Sequence, residues 1–346
     1  MINRQDLWTG RTVFITGVCG TIGRELLGAV QALDVGSIVG IDTNETGLFY
    51  LRERTRSDAR VQLFLCDIRG AEQLSRRMNG ADIVLHAAAY KHVDVCERSP
   101  QEAIFTNILG TQNVITAALE NHVERVILTS SDKAVNPTSV MGTSKLMAER
   151  LISAASAQVR AGDPIFAAIR FGNVIGSNGS VVPLFKEQIS AGGPVTITDR
   201  RMTRFMMSID QAARLVMDAV FLARGGEVIV TKMPVIRIED LAAVMIEEMD
   251  PSVQTSIIGS KPGEKLYEEL TNDEEVRRTF DWGNYLIVKP ALIPGTVDPF
   301  ADWAMEGTPI DRPYNSSLSA AMTRDEVRAF LESCGQLREH ALASQI

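Results

Sequence analysis

TVFITGVCGTIG, residues 12–23, decides the fold. A short β-favouring apolar run enters three glycines spaced GxxGxxG, and RELLGAVQAL follows with the apolar spacing of a helix. Glycine lets the turn close and lets backbone N–H groups approach a pyrophosphate. It also lets helix pack on strand, and the helix N-terminus then faces the anion. Gly17, Gly20 and Gly23, with Thr21 and Ile22 between them, are therefore candidate dinucleotide-binding residues. The plainer alternative is a tight turn with no ligand.

Further strands follow at the interval of a strand–helix alternation. SIVGID ends at Asp42, which either accepts hydrogen bonds from the adenosine ribose hydroxyls or caps the next turn. A carboxylate there would repel a 2′-phosphate, and no Arg follows directly in DTNETG, so NAD is expected rather than NADP. VQLFLC runs into Asp67 and Ile68, where Asp67 either meets the adenine amino group or caps the helix of AEQLSRRM. DIVLH is followed by Ala87, Ala88 and Ala89, small enough for a flat cofactor to cross the sheet edge, and then by Lys91 and His92. A helix over 100–121 carries a polar Asn107, a fifth strand covers 123–130, a helix covers 144–160, and PIFAAIR ends a sixth strand at Arg170. This alternation predicts an α/β fold with a Rossmann-like doubly wound parallel sheet. Right-handed crossovers place Gly17, Asp42, Asp67, Ala87 and Ser131 on one edge of it.

From residue 172 the texture changes to a glycine- and amide-rich loop. The expected division is a dinucleotide-binding domain over 1–172 and a smaller C-terminal substrate-binding domain over 173–290, with one return to the sheet near 227–230. A tail over 291–346 ends in a helix from Arg324 to Ser333. The turn Lys261-Pro-Gly263-Glu264-Lys265 offers two amines to a phosphate, or is simply a solvated charged turn. Helices 101–121 and 144–160 carry Ala117, Ala118, Ala148, Ala154 and Ala155, so two copies are expected to form a four-helix dimer interface, as a homodimer or as the unit of a higher assembly of dimers.

Composition narrows the partners. A net charge of −8 over 346 residues disfavours nucleic acid and anionic membrane. Four cysteines without a CxxC read as reduced thiols of a cytoplasmic protein, and four histidines without HExxH make a metal site unexpected. No apolar run reaches the roughly 18 residues of a membrane span, and MINRQDLWTG lacks a signal-peptide core.

Several signatures then stand in one order: HAAAYKHV at 86–93, SDKAVNP at 131–137, MGTSK at 141–145, RFGNVIGSNGSVVPLF at 170–185, DRRMTRF at 199–205 and KPGEKLYEEL at 261–270. With the glycine turn, they resemble the nucleotide-sugar 4,6-dehydratases of bacterial surface-polysaccharide biosynthesis, a branch of the extended short-chain dehydrogenases. The likeness covers roughly residues 10–275. Where the family usually has a Tyr four residues before the helical Lys, this chain has Met141 before Lys145, as in the subgroup with MxxxK. Many members of that subgroup also have an N-terminal membrane region, which this sequence does not show.

The resemblance implies NAD and a sugar nucleotide, most often UDP-N-acetylglucosamine, converted to a 4-keto-6-deoxy sugar. C4 is oxidised, water is lost across C5–C6, and the hydride returns to C6. It also implies the roles: Asp132 as acid for the C6 hydroxyl, Lys133 as base for the C5 proton, Lys145 on the nicotinamide ribose and Ser131 on the C4 oxygen. Lys91, His92, Asn173, Ser180, Val181, Arg204 and Lys265 are the candidate substrate contacts. An amine serves as base only if its pKa is lowered, and burial would do that. Met141 cannot take the C4 hydroxyl proton, so Asp132 or Lys133 acts twice or a water relays it. Two further readings stay open: a nucleotide-sugar 4-epimerase, and a catalytically silent NAD-binding regulator.

Overall fold

The computed structural model describes residues 7–160, 162–177, 179–259, 263–293 and 299–337. β1 (Thr12–Thr16), β2 (Ser37–Asp42), β3 (Val61–Leu65), β4 (Ile83–His86), β5 (Arg125–Thr129) and β6 (Ile165–Arg170) lie parallel in the order β3-β2-β1-β4-β5-β6. Helices cover the central strands on both faces, and IVLH of β4 is buried at every position. This is why these strands read as continuous apolar runs without alternation.

The chain then leaves the sheet. β7 (Asn173–Val174), β8 (Val195–Ile197) and β9 (Thr203–Met207) lie outside it, and β10 (Val228–Thr231) rejoins it parallel to β6. β11 (Val235–Arg237) pairs with β9, and β12 (Thr255–Ile257) with β8. β13 (Thr279–Trp282), β14 (Tyr285–Val288) and β15 (Thr308–Pro309) extend the large sheet antiparallel, completing ten strands. The single return expected from the sequence is thus joined by others. TFDW and YLIV flank a two-residue turn at Gly283-Asn284, and a hairpin can add to a sheet edge without a crossover helix.

A second apolar cluster forms away from the sheet. Val182, Phe185 and Ile189 of helix Val181–Ser190 meet Leu241, Val244 and Met245 of helix Ile238–Met249. Val327 and Leu331 of helix Arg324–Ser333 close it from the tail. Burying one such side chain contributes roughly 1.5–3 kcal/mol.

Arg170, at the end of β6, ties that strand to the helix that follows β5 and to the segment before β13. It donates to Glu149 at 2.9 and 2.6 Å, to Glu275 at 2.7 and 2.8 Å, and to the Leu270 carbonyl at 3.0 Å. Glu149 lies on helix Val140–Gln158, so this cluster fixes the helix that carries Met141 and Lys145.

Candidate active site

Gly17 has φ +69°, and a Cβ there would lie 2.8 Å from Ala88 Cα. On Gly23 it would lie 2.1 Å from the Gly17 carbonyl oxygen. The motif is therefore spatially required. Helix Thr21–Gln31 begins with no side-chain cap and no acid in its first turn, which leaves its positive end open to an anion. A cleft of about 320 Å³ runs from Gly17 and Gly20 past Asp42, Asp67, Ile68 and Ala87. Asp42 is held there by the N–H groups of Cys19 and Asn44, each at 2.9 Å. Asp67 does not cap the helix beginning at Ala71, whose N-cap is Gly70. Its carboxylate instead accepts from Arg69 N–H at 2.9 Å and Arg69 Nε at 2.7 Å.

An adjoining cleft of about 460 Å³ holds the chemistry-bearing side chains. Thr21, Ile22, Ala89, Ser131, Lys133 and Lys145 are on its wall. Ser131 Oγ donates to Asp132 Oδ1 at 2.8 Å, and Lys133 Nζ donates to the same oxygen at 2.9 Å. Asp132 is fully buried, and its Oδ2 has no hydrogen-bond partner among the described residues. Lys145 Nζ donates to the Thr129 carbonyl at 3.1 Å, and burial pulls its ammonium down to about 8. Met141 is buried against Cys96 and Ala103 with an edge on this cleft.

Asn107 locks this arrangement from behind. It lies in a π-helical stretch, Ile104–Leu109, inside an otherwise α-helical run. Its Oδ1 accepts from Tyr90 N–H at 2.8 Å, and its Nδ2 donates to Tyr90 O at 3.0 Å and Ser144 Oγ at 2.8 Å. The loop carrying Lys91 and His92 is thereby tied to the helix carrying Met141 and Lys145.

A third cleft, about 710 Å³, opens beside Lys133, Lys91, His92, Asn173, Lys265 and Glu268. Ser180 and Val181 line a smaller recess of about 200 Å³ next to it. Arg204, a candidate substrate contact, is on the wall of both of these clefts. Its nitrogens also meet protein: Nη1 donates to Thr203 O at 2.8 Å, Nη2 to Lys265 O at 2.8 Å, and Nε lies 3.7 Å from Glu268. Lys265 likewise donates to the Val135 carbonyl at 2.7 Å. Lys261 lies outside the described residues. The expectation for Lys133 needs correction. Burial pulls its ammonium down, but the carboxylates of Asp132 and Glu268 outweigh burial, and the net shift is upward.

Six buried side-chain oxygens find no hydrogen-bond partner among the described residues: Thr106 Oγ1, Ser130 Oγ, Asp132 Oδ2, Asn173 Oδ1, Ser180 Oγ and Glu268 Oε2. All but Asp132 belong to residues lining the clefts. Buried polar atoms are normally satisfied, so the five on the clefts are places where a ligand would supply the partner.

The family model of the polysaccharide biosynthesis proteins matches residues 13–290. The chain belongs to this family. Within it, a UDP-glucose 4-epimerase of Rickettsia felis is 34% identical over 343 residues, covering 96% of this chain and 98% of the relative. The capsular polysaccharide biosynthesis protein CapD of Staphylococcus aureus is 41% identical over 280 residues, 78% of this chain but 46% of CapD. The X-ray structure of Pen from Bacillus thuringiensis superposes with a TM-score of 0.88 at 37% identity, covering 94% of this chain and 98% of Pen.

In this member of the family the sequence reading missed Glu268, which the fold brings to 3.4 Å from Lys133 Nζ. Its one sequence signal was an acidic pair inside an otherwise apolar run, Leu266 to Leu270. Among the described residues no helix is long and apolar enough to cross a membrane, and no three His, Cys, Asp or Glu residues are grouped to hold a metal.

Proposed function

We propose that the chain is an NAD-dependent nucleotide-sugar 4,6-dehydratase. Its substrate on this reading is UDP-N-acetylglucosamine, converted to a UDP-4-keto-6-deoxy-N-acetylhexosamine for surface glycan biosynthesis. The carrying observation is the acid–amine pair, Asp132 and Lys133, 2.9 Å apart beside Lys145. Oxidation and re-reduction at C4 have no use for such a pair. Expelling the C6 hydroxyl while removing the C5 proton needs both members.

The glycine turn, the uncapped helix start and Asp42 fit a dinucleotide without a 2′-phosphate. Asp67, Ile68 and the three alanines would complete its bed, and Lys145 would hold the nicotinamide ribose. NAD held there would supply the redox chemistry, a hydride acceptor for sugar C4 and a donor for C6. The protein's side chains manage the protons. Ser131 spends its hydrogen on Asp132 and accepts from the Lys133 N–H at 3.3 Å, so one lone pair remains for the C4 hydroxyl. The C4 proton then has a path through Ser131 to Asp132 that bypasses Met141. Asp132, so protonated, is the acid for the C6 hydroxyl, and Lys133 takes the proton from C5.

Asn173, Ser180 and Val181 hold the nucleotide on this reading, with Lys91 and His92 beside the sugar. Arg204 and Lys265 shape the wall through the carbonyls they bind. We take the working form to be a cytoplasmic dimer. Ile104, Phe105, Leu109 and Met147 are exposed on the two helical segments expected at its interface.

Incubation with UDP-N-acetylglucosamine and NAD tests the proposal by product mass. A dehydratase releases a product one water lighter. The second reading, a 4-epimerase, is favoured by the Rickettsia relative and predicts unchanged mass. Tight NAD binding with no turnover of any sugar nucleotide would leave the silent regulator.

A further inference from the structure

Lys133 touches a second carboxylate that the reaction as written leaves idle. Glu268 Oε1 lies 3.4 Å from Lys133 Nζ, and Glu268 Oε2 is buried without a partner among the described residues. The residue is pinned from the tail: its N–H donates to Ser316 Oγ at 2.9 Å, and Ser316 N–H donates to its carbonyl at 2.9 Å. The charged groups facing the carboxyl are Asp132 and Lys133 from the turn after β5, Arg204 from β9, and Lys265 from its own loop.

We infer that Glu268 holds a proton for Lys133, leaving the amine neutral while Asp132 is the acid, and is thus a positioning residue of the elimination. This rests on the dehydratase reading. Converting the C4 alcohol to a ketone sends a hydride to the nicotinamide and a proton to the protein. Elimination breaks C5–H and C6–O and forms the C5–C6 double bond. The protein takes the C5 proton and gives one to the departing hydroxyl, which leaves as water. Re-reduction forms C6–H with the hydride and C5–H with a proton from the protein. Between the first and last steps the protein therefore carries one extra proton.

At rest the Lys133 ammonium sits between two carboxylates. The C4 proton, arriving through Ser131, neutralises Asp132, but an ammonium cannot then act as base at C5. Passing the Lys133 proton to Glu268 sets a neutral amine beside a neutral acid. After elimination Asp132 is a carboxylate and Lys133 an ammonium. Lys133 returns its proton to C5, and Glu268 then gives its own back to Lys133. Burial pushes the Glu268 carboxyl upward against the pull of Lys133, the direction an acceptor of that proton requires.

Glu268→Gln keeps the shape and removes the proton site. At neutral pH its elimination should fall about 10²-fold, with the 4-keto sugar that retains its C6 hydroxyl accumulating. Raising the pH should restore elimination as solvent deprotonates Lys133, whereas the wild-type ratio of eliminated to retained product should stay flat. Independently of turnover, difference infrared titration of the wild-type protein with carbon-isotope-labelled glutamate should reveal a protonated glutamic acid at a pH above the ordinary carboxylate range. The band should be missing in Glu268→Gln. A variant with the wild-type pH profile and rate, or a wild-type protein without that band, overturns the inference. Wild type that never releases water removes the dehydratase reading instead.

Discussion

Arg170 and Lys133 are each a cation set between two buried acids, Glu149 and Glu275 for the first, Asp132 and Glu268 for the second. Around Arg170 all four carboxylate oxygens accept a hydrogen bond from the guanidinium. Around Lys133 one oxygen of each acid is left without a partner, and the amine is on the wall of two clefts. Burial opposes the charge of both cations, and in both the carboxylates win. A saturated cluster can only hold structure, because no atom is left to meet a ligand. An unsaturated one is costly to keep, and Lys133 and Glu268 of this one face a cleft.

The largest effect should come from breaking the open cluster. Asp132→Asn or Lys133→Met should lower water elimination about 10²–10⁴-fold, and Asp132→Asn, which leaves Lys133 paired with Glu268, should melt at or near the wild-type temperature. Product mass and thermal melts check both halves. Breaking the closed cluster should do the reverse. Arg170→Met leaves Glu149 and Glu275 buried without their cation and should cost about 3–5 kcal/mol of stability in denaturant melts. Replacing all three residues by apolar ones of similar volume should recover most of it. A well-folded Arg170→Met protein would refute the distinction between the clusters.

The difference between the clusters was not legible in the sequence. The parallel half of the fold was, because TVFITGVCGTIG combines a period, a turn chemistry and a helix start within a few residues. Asp132, Lys133 and Lys145 were legible because they are close together along the chain. Glu268 was not, since its meeting with Lys133 depends on where the 263–270 loop docks and on Ser316 of the tail holding it there. How Arg204 is held was not legible for the same reason: a guanidinium's direction is set by the carbonyls that come to surround it. The hairpin of β13 and β14 escaped notice because strand addition at a sheet edge leaves no crossover pattern to read.

Smaller effects probe the cofactor end, where the charges again differ in how they are held. Lys145 loses its charge as pH rises through about 8. NAD binding by calorimetry should therefore weaken several-fold from about pH 7 to about pH 9, and Lys145→Met should abolish that dependence. Asp42→Asn removes the carboxylate opposing a 2′-phosphate and should narrow the preference for NAD over NADP by about tenfold. Smallest of all should be Met141→Tyr: with the C4 proton routed through Ser131, a phenol at that position should change the rate by no more than a few-fold.

Elimination at the open cluster is tested most directly by substrate deuterated at C4. Wild-type enzyme with C4-deuterated UDP-N-acetylglucosamine should yield a 4-keto product one water lighter, with the deuterium at C6. A product of unchanged mass with the deuterium still at C4 would contradict the account and make the chain an epimerase.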